Sequence, residues 1–162
     1  MTVTNHLRKR SSGCRGAELL EVTLIVVPLF GLVFLLLDLS MVLFLRSTFQ
    51  HAVREGVRYG VTGANDTGPC QDDSIKSIVK KDALGFLNSI SGSSKIHVHF
   101  SSPVDGTRTN NAPGNIIQVS VEAYIYNPLA PFHHSGSPYV WARAYDVMEP
   151  YPGSPPCLTV AE

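Results

Sequence analysis

The sequence predicts an α+β protein: a long N-terminal transmembrane helix followed by a small domain of about three antiparallel strands and one helix. Three observations carry this. Residues 22–45 form an apolar run broken by a single charge, Asp38. Residues 74–88 place apolar side chains at helical spacing. Three later segments alternate with the period of a strand, between loops rich in Gly, Pro and Asn.

The apolar run, VTLIVVPLFGLVFLLLDLSMVLFL, is 24 residues long. A bilayer core takes about 20 apolar residues in a helix, so the run is long enough to span. A removable signal peptide would have an apolar core of only about 7–15 residues and a small-residue exit. Here the run ends in Leu43-Phe44-Leu45-Arg46. A buried core helix is a poor alternative, because the rest of the chain is too small to surround it.

The helical pattern continues beyond the span. Phe49, Ala52, Val53, Gly56, Val57 and Gly60 recur at spacings of three and four, with Arg46, Gln50, Arg54 and Arg58 on the other side. Ala52, Gly56 and Gly60 form a small-residue stripe that permits close helix approach. The stripe suits a neighbouring helix in an assembly and the chain's own sheet equally well. Taken together, residues 17–60 make a helix of about 66 Å at 1.5 Å per residue. Pro28 removes one backbone donor and is a candidate kink.

The remaining elements follow in order. Residues 61–71 read as a loop, and Asp72 or Asp73 is placed to cap a helix over Ser74–Asn88. Lys95–Ser101 alternates as a strand, Ile116–Tyr126 is the clearest strand, and Tyr139–Met148 is a third. Three domains of the chain result: a leader at 1–16, the anchor and its helical extension at 17–60, and an extracytoplasmic α+β domain at 61–162.

Charge and cysteine placement set the topology. The chain has 13 basic and 13 acidic residues, but Arg8, Lys9, Arg10 and Arg15 precede the span with no acid among residues 1–16. Beyond residue 16 the balance is net negative and the basic residues are scattered, which argues against nucleic acid as a partner. Four basic residues before the span against Arg46, Arg54 and Arg58 after it favour a cytoplasmic N-terminus. Cys14 lies in the leader, which leaves Cys70 and Cys157 as an even pair in the domain. Such a pair fits one disulfide in an oxidising compartment, the alternative being two separate buried thiols.

The chemistry-bearing motifs are few. There is no H-E-x-x-H, G-x-S-x-G, Walker loop or Cys-x-x-Cys. His97 and His99 share one strand face and His133-His134 sit in a loop, with no ligand spacing that joins them. The expectation is a protein that is not an enzyme, with no cofactor and no metal. Two acids lie within the apolar helix, where a carboxylate is costly and normally has a partner or a function. Glu21 sits just inside the run, after Arg15-Gly16-Ala17-Glu18-Leu19-Leu20. Cleavage between Gly16 and Ala17 would make Ala17 the amino terminus and Glu21 the fifth residue. The amine and carboxylate could then neutralise each other between neighbouring helices and set their register. Asp38 is the second acid, a candidate for pairing with another subunit or for lying near the outer interface.

These residues resemble a known group. Gly16-Ala17 with Glu21 is similar to the processing site of type IV prepilins. Pro28, Asp38, Arg46 and the run Ala52-Val53-Arg54-Glu55-Gly56-Val57-Arg58-Tyr59 resemble the TadE-like minor pseudopilins of the tight-adherence pilus system. A looser likeness covers residues 116–150, ending in Ala142–Pro150. Glu18 and Ser40 depart from the family's usual small or apolar residue and glycine. The resemblance implies a subunit that serves pilus assembly, adhesion and biofilm formation. It implies a prepilin peptidase, other pilin or pseudopilin subunits and the assembly platform as partners. It also implies a bacterial inner membrane with the C-terminal domain in the periplasm, or the cell surface within a pilus. Two other classes stay open: an uncleaved single-pass anchor holding a binding domain, and an anchored periplasmic enzyme using Cys70, Cys157 or the histidines.

Overall fold

The computed structural model describes residues 15–64, 70–129, 136–150 and 157. The leader through Cys14 and the pair His133-His134 lie outside the described residues. Helix α1 runs over Arg15–Val61, 47 residues, and continues through Pro28 without interruption. Its two halves live in different surroundings. From Leu19 to Phe44 nearly every large apolar side chain is exposed, and none of the most apolar stretch is buried by the rest of the protein. From Leu45 upward a stripe of Leu45, Phe49, Ala52, Val53, Val57 and Val61 is buried. The spacing of three and four that marks one helix face in the sequence is therefore the face on which the domain is built.

Helix α2 spans Gln71–Asp82 rather than Ser74–Asn88. Its start comes earlier because Cys70, in an extended conformation, is the N-cap; Asp72 and Asp73 fall in the first turn, beside the positive end of the helix dipole. Its end comes earlier because Leu84 and Gly85 take left-handed φ of 52° and 86°. The turn that follows still carries the apolar pattern inward, since Ala83 and Leu87 remain buried. A short helix, α3 (Ile90–Ser93), was not expected from the sequence; the Gly92 amide donates to the Ser89 hydroxyl at 3.0 Å and caps it.

The sheet has the order β1-β2-β3, all antiparallel, with β1 at Ile96–Ser101, β2 at Ile116–Ile125 and β3 at Tyr139–Val147. Each strand lies within a residue of its sequence-predicted bounds. Ile96, Val98, Phe100, Ile117, Val119, Val121, Val140 and Ala142 face the helices and are buried. His97 and His99 fall on the opposite face, as their alternation with the buried residues requires. The upper half of α1 and the whole of α2 cover the inner face, giving two layers around one core. Phe49 is fully buried there, touching the rings of Phe86 and Tyr124 edge to face. Removing such a side chain from water contributes about 1.5–3 kcal/mol.

One irregularity decides which residues reach the anchor. Between Val121 and Tyr124 the β2–β3 register slips by one residue, and Ala123 has φ 50°. Val121 pairs with Ala142, and Tyr124 with Val140. This is a β-bulge, and it exchanges the two faces of the strand. Before it, residues 117, 119 and 121 point to the core; after it, Tyr124 and Tyr126 do.

Candidate functional site

The two acids of α1 have opposite fates. Gly16 and Ala17 lie in the first turns of α1, exposed, with nothing within 4 Å of where a Gly16 Cβ would stand. Glu21 is four residues beyond Ala17, so the two share a helix face. Glu21 is exposed, and its side chain has no hydrogen bond or ion pair among the described residues. Whatever offsets the presence of this carboxylate at the edge of an apolar helix comes from outside the described part of the chain.

Asp38 is buried, at 9% exposure. Its Oδ1 accepts from the Tyr126 hydroxyl at 3.0 Å and from the Leu129 amide at 2.8 Å. Burial first, then the hydrogen bond to Asp38, raises the Tyr126 phenol above its usual range, so it stays a protonated donor. Asp38, expected to pair with another subunit or to lie near the outer interface, has these two partners within the chain. They are there because the β2 bulge turns Tyr126 toward α1. Asp38 thus clamps the chain just past β2 to the helix, seven residues before the apolar run ends at Leu45.

The small-residue stripe is also used inside the chain. Ala52 is fully buried; a Cβ on Gly56 would stand 2.6 Å from Val79 Cγ2, and one on Gly60 would meet Ile117 Cδ1 and, at 3.0 Å, Ile75 Cδ1. Of the two uses the sequence allowed, the structure places these three residues against α2 and the sheet.

A polar knot closes the far end of the domain. Gln71, fully buried, donates through Nε2 to the Gly60 carbonyl at 2.7 Å and accepts through Oε1 from Asn111 Nδ2 at 2.7 Å. Asn111 Nδ2 also lies 3.4 Å from the Cys157 carbonyl. Cys157 is bonded to Cys70, with Cα atoms 5.2 Å apart, inside the usual range for a disulfide. The end of α1, the start of α2, the loop after β1 and the C-terminal tail therefore meet at one point. The disulfide was legible in the sequence; Gln71 and Asn111 were not, because a lone amide in a polar loop carries no periodicity.

The imidazoles of His97 and His99 stack with centroids 6.1 Å apart, on a cleft lined also by Asp72, Lys76, Arg108 and Glu122. Burial, then Arg108 and then His97, lowers the His99 pKa below the usual 6.5. Among the described residues no three His, Cys, Asp or Glu side chains converge as metal ligands.

The geometry defines a class before any comparison: a small α+β head gripping the upper half of one long helix whose lower half is apolar and uncovered. The model of the TadE-like protein family matches residues 16–58 of the chain. The match opens at Gly16 and closes at Arg58, so it covers Gly16, Ala17 and Glu21, the apolar run and the segment Ala52–Arg58. It points to the tight-adherence pilus system, and with the one long apolar helix among the described residues it fits a single-pass membrane anchor. The looser likeness over residues 116–150 lies outside the match. Neither the curated proteins nor the solved structures yield a match to this chain.

Proposed function

We propose that this chain is a minor pseudopilin-like subunit of a tight-adherence pilus, made as a precursor and cut by a prepilin peptidase between Gly16 and Ala17. The mature protein sits in the bacterial inner membrane with its head in the periplasm and supports fibre assembly, and through it adhesion and biofilm formation. The observation that carries this reading is the contrast between the two acids. Asp38 is satisfied inside the chain, whereas Glu21, four residues from the proposed new amino terminus, is exposed and unpaired among the described residues. An ammonium at Ala17 of a neighbouring subunit is the group that would offset it, since both charges otherwise face apolar surroundings. The head is the part that stays outside the membrane, and its disulfide suits an oxidising compartment.

The processing step is tested by mass spectrometry of the N-terminus of protein taken from native membranes. A chain that begins at Ala17 supports the reading. A chain that retains Met1 to Gly16 removes its main support and favours an uncleaved anchored domain.

A further inference from the structure

The helix and the head together mark where a membrane surface would lie. Asp38 and the Leu129 backbone amide share one level of the structure, joined by a 2.8 Å hydrogen bond. Irregular backbone is not tolerated facing hydrocarbon, so the hydrocarbon region ends at or below this level. Yet the uncovered apolar surface of α1 continues past it, with Leu39 55%, Leu43 58% and Phe44 47% exposed. The first charge on the helix after Asp38 is Arg46, eight residues or about 12 Å further along. A bilayer has such a layer, since the headgroup zones widen it from about 30 Å of hydrocarbon to about 40–45 Å in all.

The head presents a distinctive rim at the same heights. Leu129 is 70% exposed at the level of Asp38. Tyr139, 66% exposed, lines a shallow groove with Val42 and Arg46, and Ile125 pairs with it across the sheet. Trp141, 55% exposed, lies under the Arg46 guanidinium, 5.3 Å from ring centroid to carbon. Tyr, Trp and Arg side by side at the end of an apolar helix are the residues that anchor proteins at the membrane–water interface.

We infer that the rim formed by Leu129, Ile125, Tyr139, Trp141 and Arg46 is a lipid-docking surface, on which the head rests in the outer interfacial layer of the membrane instead of standing clear of it. The occupant is the phospholipid surface itself, because the rim is continuous with the apolar face of α1. The inference rests on the reading of α1 as a membrane anchor. It goes beyond it by fixing the height and tilt of the head, and so which surfaces remain open to other subunits before assembly. Arg46 then lies at the level of the phosphates with its guanidinium over the Trp141 ring.

Trp141 is the only tryptophan in the chain, which makes it a built-in depth probe. The full chain is reconstituted in phosphatidylcholine–phosphatidylglycerol vesicles whose acyl chains carry bromine either just below the headgroup or near the bilayer centre. The expected result is blue-shifted emission, protection from aqueous iodide, and loss of most of the emission with the shallow label but little with the deep one. Water-like emission, quenched by iodide and untouched by brominated lipid, overturns the inference if the protein resists alkaline extraction from the vesicles. Blue-shifted emission quenched by neither label also overturns it, because the rim would then be covered by a second copy of the chain. Extraction by alkali overturns the anchor reading, and the inference with it.

Discussion

Replacing Asp38 with alanine removes the acceptor that ties the end of β2 to the anchor. The hydrogen bonds from the Tyr126 hydroxyl at 3.0 Å and the Leu129 amide at 2.8 Å are lost. Hydrogen bonds to a charged group are worth about 1.5–3 kcal/mol each. The gross loss is reduced because Leu129 and its surroundings are partly open to solvent, and because the substitution also relieves the burial of a carboxylate. A net local loss of about 2–4 kcal/mol remains. The effect is local, since the hydrophobic core above Leu45 is untouched. The assay is amide hydrogen exchange of the full chain in micelles, read at Leu129. Each 1.4 kcal/mol is about tenfold, so exchange at Leu129 accelerates by about thirtyfold or more. Asp38→Asn keeps an acceptor oxygen but loses the charge, and charge-assisted bonds are roughly twice as strong as neutral ones, so it loses about half as much free energy and exchange accelerates by only about fivefold or more. Unchanged exchange at Leu129 in Asp38→Ala would refute the reasoning, because the clamp would then be absent in solution.

Three further outcomes follow from the head. Gly60→Val forces a side chain against Ile117 and Ile75 and should cost about 1–3 kcal/mol in urea unfolding; unchanged stability would show that this face is not packed on the chain itself. Cys70 and Cys157 close a loop with a sequence separation of 87, so Cys70→Ser with Cys157→Ser should lower stability by about 4–5 kcal/mol on the loop-entropy estimate; alkylation of both thiols in unreduced native protein would contradict the bridge. His99 has a pKa lowered in the fold, chiefly by burial, so the unfolded chain binds the proton more readily. Its contribution is complete above about pH 6.5 and is lost as the pH falls through that unfolded value toward the lower folded one. Thermal melts at neutral and mildly acidic pH should therefore differ less in His99→Gln than in the parent; an identical difference would remove His99 from the acid sensitivity.

How much of this was legible depended on whether a feature has a period. The anchor, the stripe from Phe49 to Gly60 and the three strands repeat, and repetition survives in sequence. Helix α2 starts and stops earlier than its apolar pattern predicts, for local reasons. Its cap is Cys70, whose side chain makes no capping bond, and its stop is a left-handed Leu84, a residue that does not announce that conformation. The bulge at Ala123 shows only as a lapse in alternation across Glu122-Ala123-Tyr124, yet it decides that Tyr126 and not Ile125 reaches Asp38. The partners of Asp38 were accordingly out of reach, and so was the Gln71–Asn111 bond, which joins residues 40 apart. The Cys70–Cys157 pairing was readable because the span leaves only two cysteines beyond it.

Glu21 separates an assembly subunit from a plain anchor. A central acid in a membrane helix is disfavoured by about 2.5–3.5 kcal/mol on insertion scales, and less near the edge. In an isolated anchor that cost has no return, so Glu21→Ala should be harmless or slightly favour insertion. In an assembly subunit Glu21 meets the Ala17 amine of its neighbour. The decisive measurement is Glu21→Ala in a strain lacking the natural copy, with a membrane-fraction blot, N-terminal mass and a surface-fibre count taken together. The expected result is normal insertion, normal cleavage after Gly16 and no fibres. Normal fibres at normal protein level would contradict the pairing of Glu21 with a neighbouring amino terminus and leave an anchored binding domain as the better reading.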